Sequence, residues 1–423
     1  MRAQGIRVEM RAGTTTLGLV LAVAAFSAPR GLAQETASSP LPAGDVFSGI
    51  PEQIEAIQSS QGINSPELIG PLTNLGLILR EQEDVDLAIA ALERARHLVR
   101  VNYGLSSFRE APLLRQLVQI EEARGNAAAG WDLEQELLGL IRRYPGPGAA
   151  PMLREIADKR VDVLERYSRG EFPPQIELGC YYSRRYGNEI PSNGGGSCRS
   201  GTSSSVKQAL YEEASAYYFD TIDMIALSEG AQAEDIPELY LAVVRASYAA
   251  RNDHGTEGYG RGILREIHSM LVKYSKPLAA QMTAWVQVVD WDLLYAGGRQ
   301  EKAAAFQAYE TLYAQLEQKD LEQTFIDEIF SPSVPVVLPA FSPVPLGLST
   351  TPGPSGAYLD VAFEITKHGE GKAIEILSTS TSAADTARLR LRDIIQRSQF
   401  RPRMANGAFE DPARVVVRYY VDD

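Results

Sequence analysis

Seven prolines fall within residues 331–355: Pro332, Pro335, Pro339, Pro343, Pro345, Pro352 and Pro354. Each fixes φ and removes a backbone donor, so the stretch continues neither a helix nor the interior of a sheet. In polyproline form such a linker reaches up to roughly 75 Å. Its apolar residues, among them Val336, Val337, Leu338 and Phe341, leave open a path along the preceding helices instead. Before the prolines, apolar residues recur with helical spacing; after them, they alternate. Leu359, Val361, Phe363 and Ile365 take one face of a strand, with Asp360 and Glu364 on the other. Gly369 and Gly371 supply a reversal, and 373–377 returns as the second arm of a hairpin. Ser382 with Asp385 is a helix start signal, and Ala384, Ala387, Leu391, Ile394 and Ile395 share one stripe. Asn406 and Gly407 mark a turn before the alternating Val415, Val417, Tyr419 and Val421. The pattern predicts a β-β-α-β module, one small sheet crossed by one helix, over 357–423.

The run Phe400-Arg401-Pro402-Arg403-Met404, then Asn406-Gly407, Pro412 and the strand from Arg414 to Val421, resembles the C-terminal domain of the TonB energy-transducer family. The likeness covers about 65 residues, 356–423, and the family motif within it is Phe400, Arg401, Pro402, Gly407 and Pro412. The resemblance implies a periplasmic domain that pairs an exposed strand with an extended segment of an outer-membrane receptor. The edge would then be Val415, Val416, Val417, Arg418, Tyr419 and Tyr420, whose unpaired backbone groups accept another strand by β-augmentation. Cover of that edge by the chain itself, or by a second copy in a homodimer, is the competing expectation.

Arg2, Arg7 and Arg11 precede an apolar run at 17–26, and Gly31-Leu32-Ala33 places small residues before a cleavage point after Ala33. The run is about ten residues long where a membrane span needs roughly 20. A secretory signal peptide (1–33) and a periplasmic location are expected; the alternative is a retained segment anchored in the inner membrane. Removing 1–33 takes away four arginines and one glutamate, so the formal charge of −13 becomes −16. A chain this acidic does not seek nucleic acid through its bulk charge, and no stable membrane anchor is expected.

Cys180 and Cys198 are the only two cysteines. In an exported chain such a pair reads as a disulfide, closing a loop within a 171–205 insertion. In the chain-entropy picture it contributes roughly 3 kcal/mol. Two cysteines with no histidine nearby do not make a metal-ligand set.

The 34–60 stretch, rich in Ser, Pro and Ala at its start, reads as a flexible leader. Leu72, Leu75, Gly76 and Leu79, then Ala88, Leu92 and Ala95, resemble the tetratricopeptide repeat (TPR), in which two antiparallel helices touch at small residues. Glu83 stands where the family has a turn glycine, and Arg100 where it has a proline. A weaker copy starts 42 residues on, with Leu117 in place of Leu75, Gly125-Asn126 at the turn, Gly130 for Ala88, and Glu121 where an apolar residue is expected. TPR-like helices are expected over 61–170, a second helical-repeat segment over 206–330, and a Pro-rich linker over 331–356. The fold class is multidomain: an α-helical TPR-like solenoid followed by a small α+β (β-β-α-β) TonB C-terminal-like domain. Long helical pairs need neighbours to bury their apolar faces, which favours a stacked solenoid.

Catalytic signals are weak. His97, His254, His268 and His368 lie far apart, and there is no H-E-x-x-H, G-x-S-x-G or Walker loop. Glycines at 255, 258, 260 and 262 precede an apolar helix and could present N–H groups to an anion. The dinucleotide fingerprint needs a strand before them, so they read as an inter-helix loop. Trp285, Trp291, Tyr217, Tyr218 and Phe219 line either a binding groove or a core. No catalytic residue, metal or cofactor is assigned. The expectation is a non-enzymatic periplasmic adaptor whose partners are envelope proteins, including outer-membrane TonB-dependent receptors. The alternatives are an energy transducer in TonB-dependent transport and an enzyme without a recognised motif.

Overall fold

The computed structural model describes residues 43–168, 203–250, 256–319, 321–340, 350, 356–380 and 385–420, with side chains from 49, 207, 258 and 387 in the segments that begin at 43, 203, 256 and 385. The expected signal peptide, both cysteines, His254 and most of the second half of the Pro-rich stretch lie outside these residues. The chain divides into two units, Met1–Gly49 and Ile50–Asp423. Of the first, only 43–49 are described, as the start of helix α1 (Ala43–Gln61). The leader expected over 34–60 is therefore helical in its described part. Ile54 and Ile57, one turn apart, pack on the apolar cluster of the next two helices, and that periodicity outweighs the Ser- and Pro-rich composition ahead of it.

Two hairpins follow: α2 (Ile69–Glu81) with α3 (Val85–Tyr103), and α4 (Ala111–Ala123) with α5 (Ala127–Arg143). Ser65 and Ser107 each accept a hydrogen bond from the backbone N–H two residues on and open a 3-10 turn that leads into the first helix of the hairpin. A Cβ on Gly76 would meet Leu92 Cγ at 2.7 Å, so α2 and α3 approach as closely as they do because that side chain is missing. Glu121, out of place as a core residue, is buried but satisfied: its carboxylate accepts from Arg124 Nε (2.7 Å) and Asn126 Nδ2 (2.8 Å). Buried Glu110 similarly accepts from Arg96 Nε (2.5 Å) and Arg100 Nε (2.7 Å), adding a satisfied charge to the apolar contacts that Leu113, Leu117 and Ile120 make with the first hairpin.

The second helical segment is α6 (Ala150–Ser168), α7 (Ser203–Glu229), α8 (Asp235–Ala249), α9 (Thr256–Lys273), α10 (Leu278–Leu294), α11 (Arg299–Gln318) and α12 (Gln323–Phe330). From α6 to α12, each described helix packs against the next. The glycines expected to form an inter-helix loop behave otherwise: Gly258, Gly260 and Gly262 lie inside α9. A Cβ on Gly260 would stand 2.4 Å from the Trp291 ring, so this glycine seats a fully buried indole. Tyr217, Tyr218 and Trp291 are core, with Phe219 and Trp285 packed against that core; of the five only Tyr217, itself buried, also borders a groove, the one between α5, α6 and α7.

The C-terminal module is a three-stranded sheet in the order β2-β1-β5, from β1 (Tyr358–Ile365), β2 (Gly371–Thr379) and β5 (Ala413–Tyr420), all antiparallel. Helix α13 (Asp385–Arg397) covers one face, burying Leu391 and Ile395 against Leu359, Val361 and Phe363. A two-residue pair, β3 (Met404–Ala405) and β4 (Ala408–Phe409), turns at Asn406-Gly407, both with positive φ. Of the two paths left open for the Pro-rich linker, residues 331–340 take the packed one. Leu338 N–H donates to Gln399 O (2.8 Å) and Arg401 N–H to Val336 O (2.9 Å), and Leu338 is buried. Val336, Val337 and Leu338 decide the matter, since they are wholly or partly covered here and would be wet in a spacer.

The turn between α2 and α3 tests the repeat reading energetically. Glu83 sits at φ 65°, where glycine is at ease and a side chain is strained; 42 residues on, Gly125 occupies the same turn at φ 81°. Glu83→Gly is expected to raise the urea midpoint by about 1 kcal/mol equivalent, and Gly125→Ala to lower it by a similar amount. Chemical denaturation of the two variants checks both signs.

Candidate partner-binding edge

At the centre of the contact between the sheet module and the helices is one buried side chain, Arg401. Arg401 Nε donates to Asp290 Oδ1 (2.9 Å) and Nη2 to Asp290 Oδ2 (2.5 Å), while Nη1 reaches Ile329 O (3.1 Å). Tyr309 O–H donates to the same Asp290 Oδ1 at 2.6 Å. Asp290 and Tyr309 are 1% and 0% exposed. Burial opposes the Arg401 charge, but the Asp290 carboxylate beside it more than compensates, and the guanidinium pKa lies above its ordinary value. Burial, with the Asp290 charge, pushes the Tyr309 phenol well above its ordinary value, so it stays a donor. Around this group Met404 joins the apolar cluster of Tyr309, Tyr313, Phe330 and Leu338, and Phe306 meets the rings of His368 (5.2 Å) and Phe409 (5.5 Å).

The motif residues thus have separate places. Phe400 is buried in the sheet–helix core, and its N–H donates to Gly369 O at 2.7 Å. A Cβ on Gly369 would lie 2.1 Å from Phe400 O, which fixes glycine at that turn. Arg401 leaves the module for Asp290; Pro402 is buried beside it, whereas Gly407 and Pro412 are exposed turn residues.

Among the described residues β5 pairs with β1 alone, in continuous register from Tyr358↔Tyr420 to Ile365↔Ala413. Its other long side is an edge. Which residues of β5 present backbone groups there follows from β1. Tyr358 O accepts from Ser380 N–H (3.0 Å) and Tyr358 N–H donates to Ser380 Oγ (2.9 Å), so Tyr358 turns both groups toward β2. Alternation then sends those of Leu359, Val361, Phe363 and Ile365 toward β5, where Tyr419, Val417, Val415 and Ala413 answer them. The outward backbone groups belong to Arg414, Val416, Arg418 and Tyr420. The six expected edge residues therefore split: Val415, Val417 and Tyr419 bury their side chains and bond inward, while Val416, Arg418 and Tyr420 face the edge.

The opposite side of the sheet is less receptive. The β1–β2 register slips twice, Ala373 has φ 48°, and Ile374 O already accepts from Arg392 Nη2 (3.2 Å). Bulges and occupied carbonyls disfavour strand addition. On the solvent face, Arg418 makes a bidentate pair with Asp360 (2.7 and 2.9 Å) and lies over the Tyr358 ring at 4.1 Å, while Arg414 reaches Glu375 (2.9 Å). Hydrogen bonds from Arg418 and Ser378, and then the charge of Arg418, hold the Asp360 carboxyl down to about 2.

Of the histidines, His97 and His368 are exposed, and the His268 ring meets Trp285 at 4.8 Å in a tilted contact, with its pKa lowered by burial and by Lys319. No group of three metal-ligating side chains occurs among the described residues, and no described helix is long and apolar enough to cross a membrane. The sequence reading missed Asp290 and Tyr309. The available signal was an acid set between Val289 and Trp291 in the largely apolar α10, where the next acid, Asp292, falls on another face of the helix.

Asp290→Ala leaves a buried guanidinium unpaired and should cost about 3–5 kcal/mol, read as a fall in urea midpoint, whereas Asp290→Leu with Arg401→Met should recover most of it. For Asp360, the folded value lies below the unfolded value of about 3.9. Its pairing therefore stabilises above pH about 4 and is lost as pH falls toward 2. In Arg418→Met, carboxyl-carbon NMR should show the Asp360 midpoint rising toward its ordinary value.

No family model matches this chain, and no curated protein does. Solved structures include a similar chain: a crystal structure of nearly identical TPR-like repeats from a Podosopora anserina protein assigned as a kinesin light chain. Identity is 12% and the TM-score 0.34, over 61% of this chain and 99% of that one. The fold described above rests on the helices and sheet themselves.

Proposed function

We propose that this protein is a non-enzymatic, periplasmic interaction protein whose helical array docks one partner and whose C-terminal sheet captures an extended segment of another. The single observation that carries the reading is the β5 edge, regular over eight residues and unpaired among the described residues. A strand laid along it gains main-chain hydrogen bonds from Arg414, Val416, Arg418 and Tyr420, with selectivity left to the side chains on either face. The resemblance of 356–423 to the TonB C-terminal domain points the same way and names the partner class as envelope proteins, outer-membrane TonB-dependent receptors among them. The TPR-like spacing of 61–170 supports the scaffold half, because stacked helical pairs offer a long continuous surface to other proteins.

Docking through Arg401 gives the edge a fixed base. A captured strand would pull on the helical array through a buried ion pair and not through a loose tether.

Val416 is the residue to change. Its side chain is 60% exposed and its N–H faces the edge, so Val416→Pro removes one outward donor while the β1–β5 ladder keeps its own. Titration of extended receptor-derived peptides by fluorescence anisotropy should lose at least about tenfold in affinity with Val416→Pro, with helical content by circular dichroism unchanged. Equal affinity for both proteins would remove the edge-strand reading.

A further inference from the structure

A second surface, remote in sequence from the edge strand, has the chemistry of a docking groove. It lies where α5, the start of α6 and the second half of α7 meet, and encloses 280 Å³. The floor is apolar: Leu138 and Ile141 from α5, Leu153 from α6 and Met224 from α7, all buried. On α7 the residues facing it are Tyr217, Asp220, Asp223, Met224 and Leu227, at spacings of three, three, one and three, which form one stripe along the helix. Leu227 is 89% exposed, a large apolar side chain left in water at the groove's mouth.

We propose that this groove docks a basic amphipathic helix of a partner protein, its apolar side chains on the floor and its lysines or arginines at Asp220 and Asp223. Three observations select that occupant. The lining carries two exposed carboxylates, neither with a hydrogen bond or ion pair among the described residues, against the single exposed guanidinium of Arg142, so its balance is negative. Burial and the neighbouring Asp223 push the Asp220 carboxyl up, against the pull of Arg142, a mismatch that an incoming cation relieves. The whole chain carries −13, so a basic segment is steered toward it and an acidic one repelled. The helical form follows from the walls. Residues in α5 and α7 spend their backbone groups within their own helices, so the occupant must satisfy its own, as a helix does.

The test uses the full chain and a fluorescein-labelled 18-residue peptide of leucine and lysine spaced to form one apolar face, with a glutamate-for-lysine counterpart. The lysine peptide is expected to bind, to shift the Met224 methyl resonance, and to weaken at least about tenfold when Asp220→Lys and Asp223→Lys are combined. Reversal of the remote exposed pair, Glu52→Lys with Glu55→Lys, should leave the affinity unchanged. The glutamate peptide should not bind. Absence of binding below about 1 mM overturns the proposal, as does equal weakening by the remote reversal, which would mean attraction by bulk charge only. Self-association in sedimentation equilibrium that Leu227→Gln abolishes would assign the groove to a second copy and also overturn it. Val416→Pro should leave this binding untouched, so failure here is separate from failure at the β5 edge.

Discussion

Arg401 and Asp290 meet out of water, 111 residues apart in the chain, and the placement of the sheet depends on their meeting. Removing either charge from solvent is costly, and only a partner with good geometry compensates. The geometry here is bidentate, with Tyr309 donating to one carboxylate oxygen and Ile329 O taking a further guanidinium hydrogen. Such a group tolerates little displacement. A shift of the module by an ångström or two would strand a buried guanidinium. The apolar contacts around it, Met404 among Tyr309, Tyr313 and Phe330, supply attraction without the same demand for position.

That mounting gives the edge its character. Proteins blunt exposed strands with charges, bulges or cover. Here β2 is bulged and has a carbonyl taken by Arg392, whereas β5 keeps a continuous register and, among the described residues, has no second strand on its outward side. Its exposed charges, Arg414 and Arg418, are held to Glu375 and Asp360 on the solvent face, so they mark the strand without closing it. The two edges therefore differ in how readily each would admit a further strand.

The helical array solves a related problem with buried charge. Glu110 and Glu121 interrupt apolar stripes but are met by Arg96, Arg100, Arg124 and Asn126. Burial raises the Glu134 carboxyl, but Arg160 and Lys159 prevail and its pKa is lowered. Such links contribute little net stability compared with an apolar contact of equal size. They do specify which helix meets which, since a slipped neighbour would leave a carboxylate unpaired.

Local pattern alone was enough for much of this. The alternation of Leu359, Val361, Phe363 and Ile365, and the helical spacing of Leu391 and Ile395, define strands and helix, because periodicity reports which face is buried. Gly76 and Ala88 likewise mark a close helix pair before any coordinates. What pattern cannot report is a partner far along the chain. Gly258, Gly260 and Gly262 look like a loop until Trp291 is placed against Gly260. Residues 331–340 look like a spacer until Val336 and Leu338 are seen to pair with Arg401 and Gln399. Arg401 looks like a surface cation of a small module until Asp290 is brought to it. The sequence determines which segments are helix and strand through short-range spacing. Only the tertiary structure decides where a charge or a backbone donor finds its counterpart, because that choice is set by long-range packing and by the cost of leaving such a group unpaired away from water.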